Sequence, residues 1–407
     1  MNKQVIKYSS FLTAPIFLCG ALQASIYWDT NGSTGGAGNP ATGTWDAATT
    51  SNWTTDSTGA SATSTFDALA DTDVVFSAGT DATSAAVVTT SGTQLVSSVT
   101  FQEGDITLTG TNIDDAGTTI QFTVNDGANA IVDYSDGAYN ADFDVQGSST
   151  MQINVVRGGG GMAKTGTGTL TVHRLDASLT VNEGTVIYDT TGSGGSAKLK
   201  NTTVNDGGTL RLEANTFDGS KRSLQVNGTG AVEFASGVDQ TISFFTGDGS
   251  VVGNGSTLKI GGDNKSTTFN GDISGDMDLH AIGTGTFTMS DATSMEIIVG
   301  GNGVNNSILG TGNINLNGEL TFDLTGADLT AGNSWLIVDV DNLNETYGAT
   351  FSIANFTESE GIWSYDLNAL VEFSESTGEL YVVPEPSSFA LLAGCMGLAF
   401  VMLKRRA

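Results

Sequence analysis

Apolar residues in the middle of the chain fall at every second position in short runs, as in Thr169-Leu170-Thr171-Val172 and Thr209-Leu210-Arg211-Leu212, and glycine, asparagine or aspartate separates one run from the next. A period of two predicts strands that bury one face and expose the other. One phrase recurs. Val181-Asn182-Glu183-Gly184-Thr185-Val186-Ile187-Tyr188 is followed by Val204-Asn205-Asp206-Gly207-Gly208-Thr209-Leu210-Arg211-Leu212 and Val226-Asn227-Gly228-Thr229-Gly230-Ala231-Val232-Glu233-Phe234. Upstream Val124-Asn125-Asp126-Gly127 and downstream Leu316-Asn317-Gly318-Glu319-Leu320 fit the same wording.

Asn-Gly and Asp-Gly supply the positive φ at which a strand stops, turns and restarts, and the apolar residues after them point into a core. The near-even spacing of Val181, Val204 and Val226 favours a solenoid, in which each coil buries its inner side chains only against the next. Coils of that length suit a right-handed parallel β-helix, with an antiparallel sandwich as the second structural reading. The 54 glycines and abundant Thr, Ser, Asn and Asp argue against helices, and 39% hydrophobic residues argue against disorder.

Lys164-Thr165-Gly166-Thr167-Gly168-Thr169-Leu170-Thr171-Val172, followed by Leu179-Thr180-Val181-Asn182-Glu183-Gly184-Thr185-Val186, resembles the autotransporter-associated β-strand repeat. The match is clear over 162 to 189 and weaker across 118 to 325. It departs from the usual repeat at Leu175 to Ser178, where a Tyr-Thr-Gly-Gly loop is expected, so one turn is shortened or reshaped. The resemblance implies an extracellular β-helical passenger or stalk. No membrane barrel of alternating ten-residue strands follows, so the chain is not itself read as an autotransporter.

The flanks differ in texture. Residues 25–110 place Trp28, Trp45 and Trp53 in Gly/Ser/Thr/Ala-rich surroundings, expected as an N-terminal β entry region in which the tryptophans cap the stack rather than form a carbohydrate-stacking platform. Residues 111–317 hold the β-helix. Residues 318–383 carry longer, more aromatic strands, expected as a C-terminal β cap.

Both termini carry addresses. Residues 1–24 join Lys3 and Lys7 to an apolar stretch, Phe11 to Leu22, and end in small residues. This reads as a secretory signal peptide cut between Ala24 and Ser25, which makes the Sec export machinery a partner. At 384–407, Pro384-Glu385-Pro386 precedes an uncharged run, Phe389 to Leu403, and then the basic stop Lys404, Arg405 and Arg406. Fifteen residues make a helix of roughly 22 Å, just able to cross a core of roughly 30 Å when its flanks extend it. The basic end prefers the cytoplasmic side. This tail closely resembles the PEP-CTERM sorting signal of Gram-negative bacteria. The resemblance implies recognition by an exosortase, cleavage near the Pro-Glu-Pro motif, a transient inner-membrane anchor through the C-terminal helix, and delivery to the cell surface or extracellular matrix.

Between the signals lie 43 acids and 10 bases, a formal charge of −33, which excludes nucleic acid as a partner and suits solubility or cation attraction outside the cell. Cys19 and Cys395 both fall in the terminal segments, so no disulfide or thiolate metal site is available to the exported part. His173 and His280 are far apart and lack neighbours at ligand spacing. Gly158-Gly159-Gly160-Gly161-Met162-Ala163-Lys164-Thr165 nearly imitates a phosphate loop but leads into a strand rather than a helix. Asp114-Asp115, Asp133 with Asp136, and Asp339 with Asp341 are pairs of the kind glycoside hydrolysis or calcium would use, but among 43 acids such neighbours arise by chance. Gly300-Gly301-Asn302-Gly303-Val304-Asn305 lacks the aspartate of a calcium nonapeptide.

The expectation is an all-β, right-handed parallel β-helix with N- and C-terminal β caps and a single C-terminal transmembrane helix. It is expected to be a non-enzymatic surface or matrix protein that needs no cofactor, adhering to exopolysaccharide or other cells. The alternatives are a displayed β-helical polysaccharide lyase or glycosidase, and a carbohydrate-binding protein that would need the three tryptophans exposed.

Overall fold

The computed structural model describes residues 25–67, 72–115, 117–134, 140–158, 160–190, 199–217, 222–343, 346–366 and 370–384. Over these residues the chain winds as a parallel β-solenoid of about 11 turns. One face is a sheet of 14 strands running from Ile26–Trp28 to Asn313–Leu316, parallel throughout except for Trp53–Thr54 at its N-terminal edge. The second face climbs beside it from Gly43–Asp46 through Ala86–Ser91 and Asp105–Gly110 to Ser352–Ile353. In the later coils Ser250–Ile260 and Asp272–Ala281 bend around a corner, each pairing on the second face with its first half and on a third face with its second half. Gly255, at φ 64°, and a register shift at Asn254/Ser256 mark that corner.

The alternation read from the sequence is the alternation of burial: Thr119–Val124 buries Ile120, Phe122 and Val124, and keeps Thr119 and Gln121 exposed. Neighbouring coils stack like on like. Phe122 lies over Phe143 with ring centroids 5.2 Å apart and planes 7° apart, and Phe245 lies over Phe269 at 4.0 Å. Every inner row is thereby removed from water by the coils before and after it, which is why one coil alone has no core.

Val181 sits opposite Val204 and Val204 opposite Val226, so the repeated phrase marks successive turns of the coil. Other coils depart from that length. Lys164 sits opposite Val181, a shorter coil, at the place where Leu175 to Ser178 replace the longer loop. Phe287 sits opposite Ile314, a longer one.

The texture that sets 25–110 apart in the sequence does not interrupt the backbone pairing. Ile26–Trp28, Asp73–Phe76 and Ser98–Phe101 belong to the same parallel sheet as the coils that follow. Trp28, Trp45 and Trp53 are fully buried with Phe66 and Phe76, ring centroids 5.1 to 5.8 Å apart in edge-on and tilted contacts. Toward the other end Glu319–Asp323, Val338–Val340 and Ser352–Ile353 still pair parallel to the coil. Five antiparallel strands then pack on it in the order Ser334–Leu336, Glu379–Val382, Leu370–Ser374, Ile362–Asp366, Thr357–Ser359. Phe322 of the last coil touches Phe356 and Phe373, and Phe351 meets Trp363 edge-on at 5.5 Å.

Among the described residues there is no helix long and apolar enough to cross a membrane. The expected transmembrane segment, Phe389 to Leu403, lies outside the described residues.

Candidate functional site

Among the described residues the first strand begins at Ile26, directly after Ser25, and the last ends at Val382, just before an exposed Pro384. Ala24, Glu385, Pro386 and the basic stop Lys404, Arg405 and Arg406 lie outside the described residues.

The three tryptophans cannot form a stacking platform, because none has an open face. Trp28 and Trp45 are 0% exposed and Trp53 is 1% exposed.

The two candidate histidines stand on different strands. His173 stands on Thr169–Leu175, with Nδ1 3.7 Å from Asp189 Oδ2. His280 stands on Asp272–Ala281, in register with Lys259 and Leu309. Asp115 is an internal clamp, accepting the N–H of Gly117 at 2.7 Å and that of Asn140, one coil on, at 3.1 Å. Asp133 accepts from the Asn154 amide, while Asp136 lies outside the described residues. Asp339 lies on Val338–Val340, opposite Leu309. Among the described residues no three His, Cys, Asp or Glu side chains are grouped to hold a metal.

Gly161–Thr165 is a strand of the first face, and it turns Lys164 inward. The Lys164 ammonium is buried and donates to three carbonyls, Gly166 at 2.6 Å, Thr165 at 2.7 Å and Glu183 at 3.2 Å. A lysine whose donors are consumed by the turn beneath it does not face a phosphate. Burial pulls its pKa down to about 8, against the pull of Asp144 and Glu183.

What remains open to a ligand is the outer surface. On the second face, outward side chains line up from coil to coil as Val87, Thr107, Ile131, Gln152, Thr171 and Ile187. Beside them runs a polar row in which Asn129 Nδ2 donates to Asp105 Oδ1 at 2.8 Å and Thr150 Oγ donates to Asn129 Oδ1 at 2.8 Å. Thr107, Ile131, Gln152 and Thr171 of the first row, with Asp105, Asn129 and Thr150 of the second, line a shallow groove of about 440 Å³. The sequence did not single out this groove, because each coil contributes only one or two ordinary Thr, Asn or Ile residues. No Lys, Arg or His occurs anywhere between 25 and 156, against 16 acids, so all of the groove but Thr171 is built from a stretch whose only charged side chains are acidic.

No family model, no curated protein and no solved structure matches this chain.

Proposed function

We propose that this is an exported, non-enzymatic cell-surface or matrix protein of the PEP-CTERM type, carried out by its signal peptide and processed by an exosortase at Pro384-Glu385-Pro386. The observation that supports this reading best is the fit of the folded body between the two signals. Cuts on either side of Ile26 and Val382 would release the whole solenoid without opening a coil. In this reading the coil is right-handed, as parallel β crossovers are. The tryptophan cluster at its start and the antiparallel sheet at its end act as caps that keep the solenoid edges from pairing with other chains. The role of the body is mechanical and adhesive. Its outer rows of hydroxyl, amide and carboxylate groups meet polysaccharide at many weak contacts, each alone worth little.

The test is the mass and location of the mature protein in its native host, with and without Pro384-Glu385-Pro386 changed to alanine. A product lacking the residues after the motif and found at the surface, with the variant held full length in the inner membrane, is the expected result. Retention of the apolar tail in both forms would mean a plain anchor and overturn the sorting reading.

A further inference from the structure

The loop that follows the first strand holds a buried acid with an unanswered oxygen. Asp29 is 0% exposed. Its Oδ1 accepts the N–H of Asn31 at 2.9 Å, and its Oδ2 accepts nothing. With no base among residues 25 to 156, no side chain of this region can neutralise it.

Around Asp29 the loop turns oxygens inward. The Asn31 amide is satisfied with Nδ2 directed at Thr34 O, 2.6 Å away, Asp29 Oδ1, 3.0 Å away, and Gly36 O, 3.1 Å away, while its Oδ1 accepts from Gly38 N at 3.1 Å. Asp81 holds the far side of the loop by accepting Ala37 N at 2.7 Å and Gly38 N at 3.3 Å. Gly36 is required there, since a Cβ would lie 2.3 Å from the Asp81 carboxylate. Half a turn of the Asn31 amide exchanges its donor for an acceptor. Asn31 Oδ1 then stands 2.6 Å from Thr34 O, 3.0 Å from Asp29 Oδ1 and 3.1 Å from Gly36 O, oxygens crowded together without a donor between them, and the same Asp29 carboxylate carries the unanswered Oδ2.

We infer that the Asp29–Gly38 loop is a calcium site, in which Asp29, the Asn31 amide oxygen and the carbonyls of Thr34 and Gly36 surround the ion and water completes its shell. The donors are all hard oxygens, with one carboxylate among neutral amide and peptide groups. That set suits calcium rather than zinc or copper, which want imidazole or thiolate. Loop carbonyls that can move apart by a few tenths of an ångström suit calcium better than magnesium, which demands a tight octahedron. The role would be to tie the loop over Trp28, locking the first coil of the solenoid. This inference stands independently of how the chain is exported.

The test is calcium titration of the purified protein by calorimetry, together with its thermal midpoint. Expected is one saturable calcium site with Kd on the order of 0.1–1 mM, the range of extracellular modules. The thermal midpoint should rise by roughly 2 °C at ten times that concentration, with no matching effect of magnesium. Asp29→Asn and Asn31→Ala should each weaken this site at least tenfold, whereas Asp291→Asn, which removes an exposed charge in a distant coil, should leave it intact. Absence of a saturable site in the wild type overturns the inference. So does an unchanged isotherm in either loop variant that folds, because the calcium would then be held by the general acidic surface.

Discussion

Asn205 donates its side-chain Nδ2 to Asn182 Oδ1 in the preceding coil at 2.9 Å, and Asn227 repeats the bond onto Asn205 at 2.9 Å. The recurring Val-Asn pair thus has two jobs. Its valine enters the inner row, and its asparagine joins a ladder that fixes the register of each turn on the last. Asn205→Ala leaves a partly buried acceptor below and a donor above without partners and should cost about 1–3 kcal/mol. Asn205→Asp should cost more, since a carboxylate offers Asn182 Oδ1 no donor. Chemical denaturation of the two variants checks the order, and wild-type stability in both would remove the ladder from the account.

Lys164 makes stability depend on pH in a stated direction. Its pKa is about 8 in the fold against 10.5 in the open chain. Below pH 8 both states carry the proton, and the fold bears the cost of a buried charge. Between about 8 and 10.5 only the unfolded chain keeps it, so stability rises with pH, by on the order of 1–2 kcal/mol once screening is allowed for. The phenols act oppositely. Burial raises the pKa of Tyr134, Tyr188 and Tyr347, so above about pH 10 the unfolded chain sheds protons that the fold retains, and stability falls. Thermal midpoints from pH 7 to 11 should show a maximum near pH 10. Lys164→Met should abolish the rise and leave the fall.

Gly228 and Gly237 separate two costs of glycine. Both have positive φ, 55° and 70°, but a Cβ on Gly228 would lie 1.9 Å from Asp206 Oδ1, and one on Gly237 would meet nothing within 4 Å. Asp206 cannot retreat freely, because the same oxygen accepts Thr229 N at 2.8 Å. Gly237→Ala should cost only the left-handed backbone, about 1–2 kcal/mol. Gly228→Ala should cost about 1–3 kcal/mol more as that bond is broken. Parallel denaturation curves measure the difference.

Trp53 touches Trp28, Trp45, Phe66 and Phe76. Truncation to alanine should cost about 3–5 kcal/mol and loosen the first coil. Light scattering should then show self-association through the exposed strand edge, while the same truncation at exposed Val304 should leave the protein as it is.

Much of the coil is legible in the sequence because its determinants are local. Alternation in runs such as Thr169-Leu170-Thr171-Val172 marks which side chains turn inward, and Gly127, Gly184, Gly207 and Gly228 all take the positive φ that their place in the phrase requires. The candidate site was not legible. Val87, Thr107, Ile131 and Gln152 are four unrelated residues of the chain until coil stacking brings them into one row.

The sequence alone determined that this chain is built of strands, that one phrase returns at Val181, Val204 and Val226, and that addresses resembling export and sorting signals flank the body. These follow from side-chain period, turn chemistry and charge, which act over short stretches of chain. The tertiary structure decided the rest. It turned Lys164 inward, set it directly opposite Val181 in a shortened coil, and joined Ile26–Trp28, Asp73–Phe76 and Ser98–Phe101 to the same parallel sheet as the later coils. It also gathered Trp28, Trp45 and Trp53, well separated along the chain, into one sealed cluster. The reason is that each coil is stabilised by its neighbours. Where a side chain finally points depends on which residue of the adjacent coils lies above and below it.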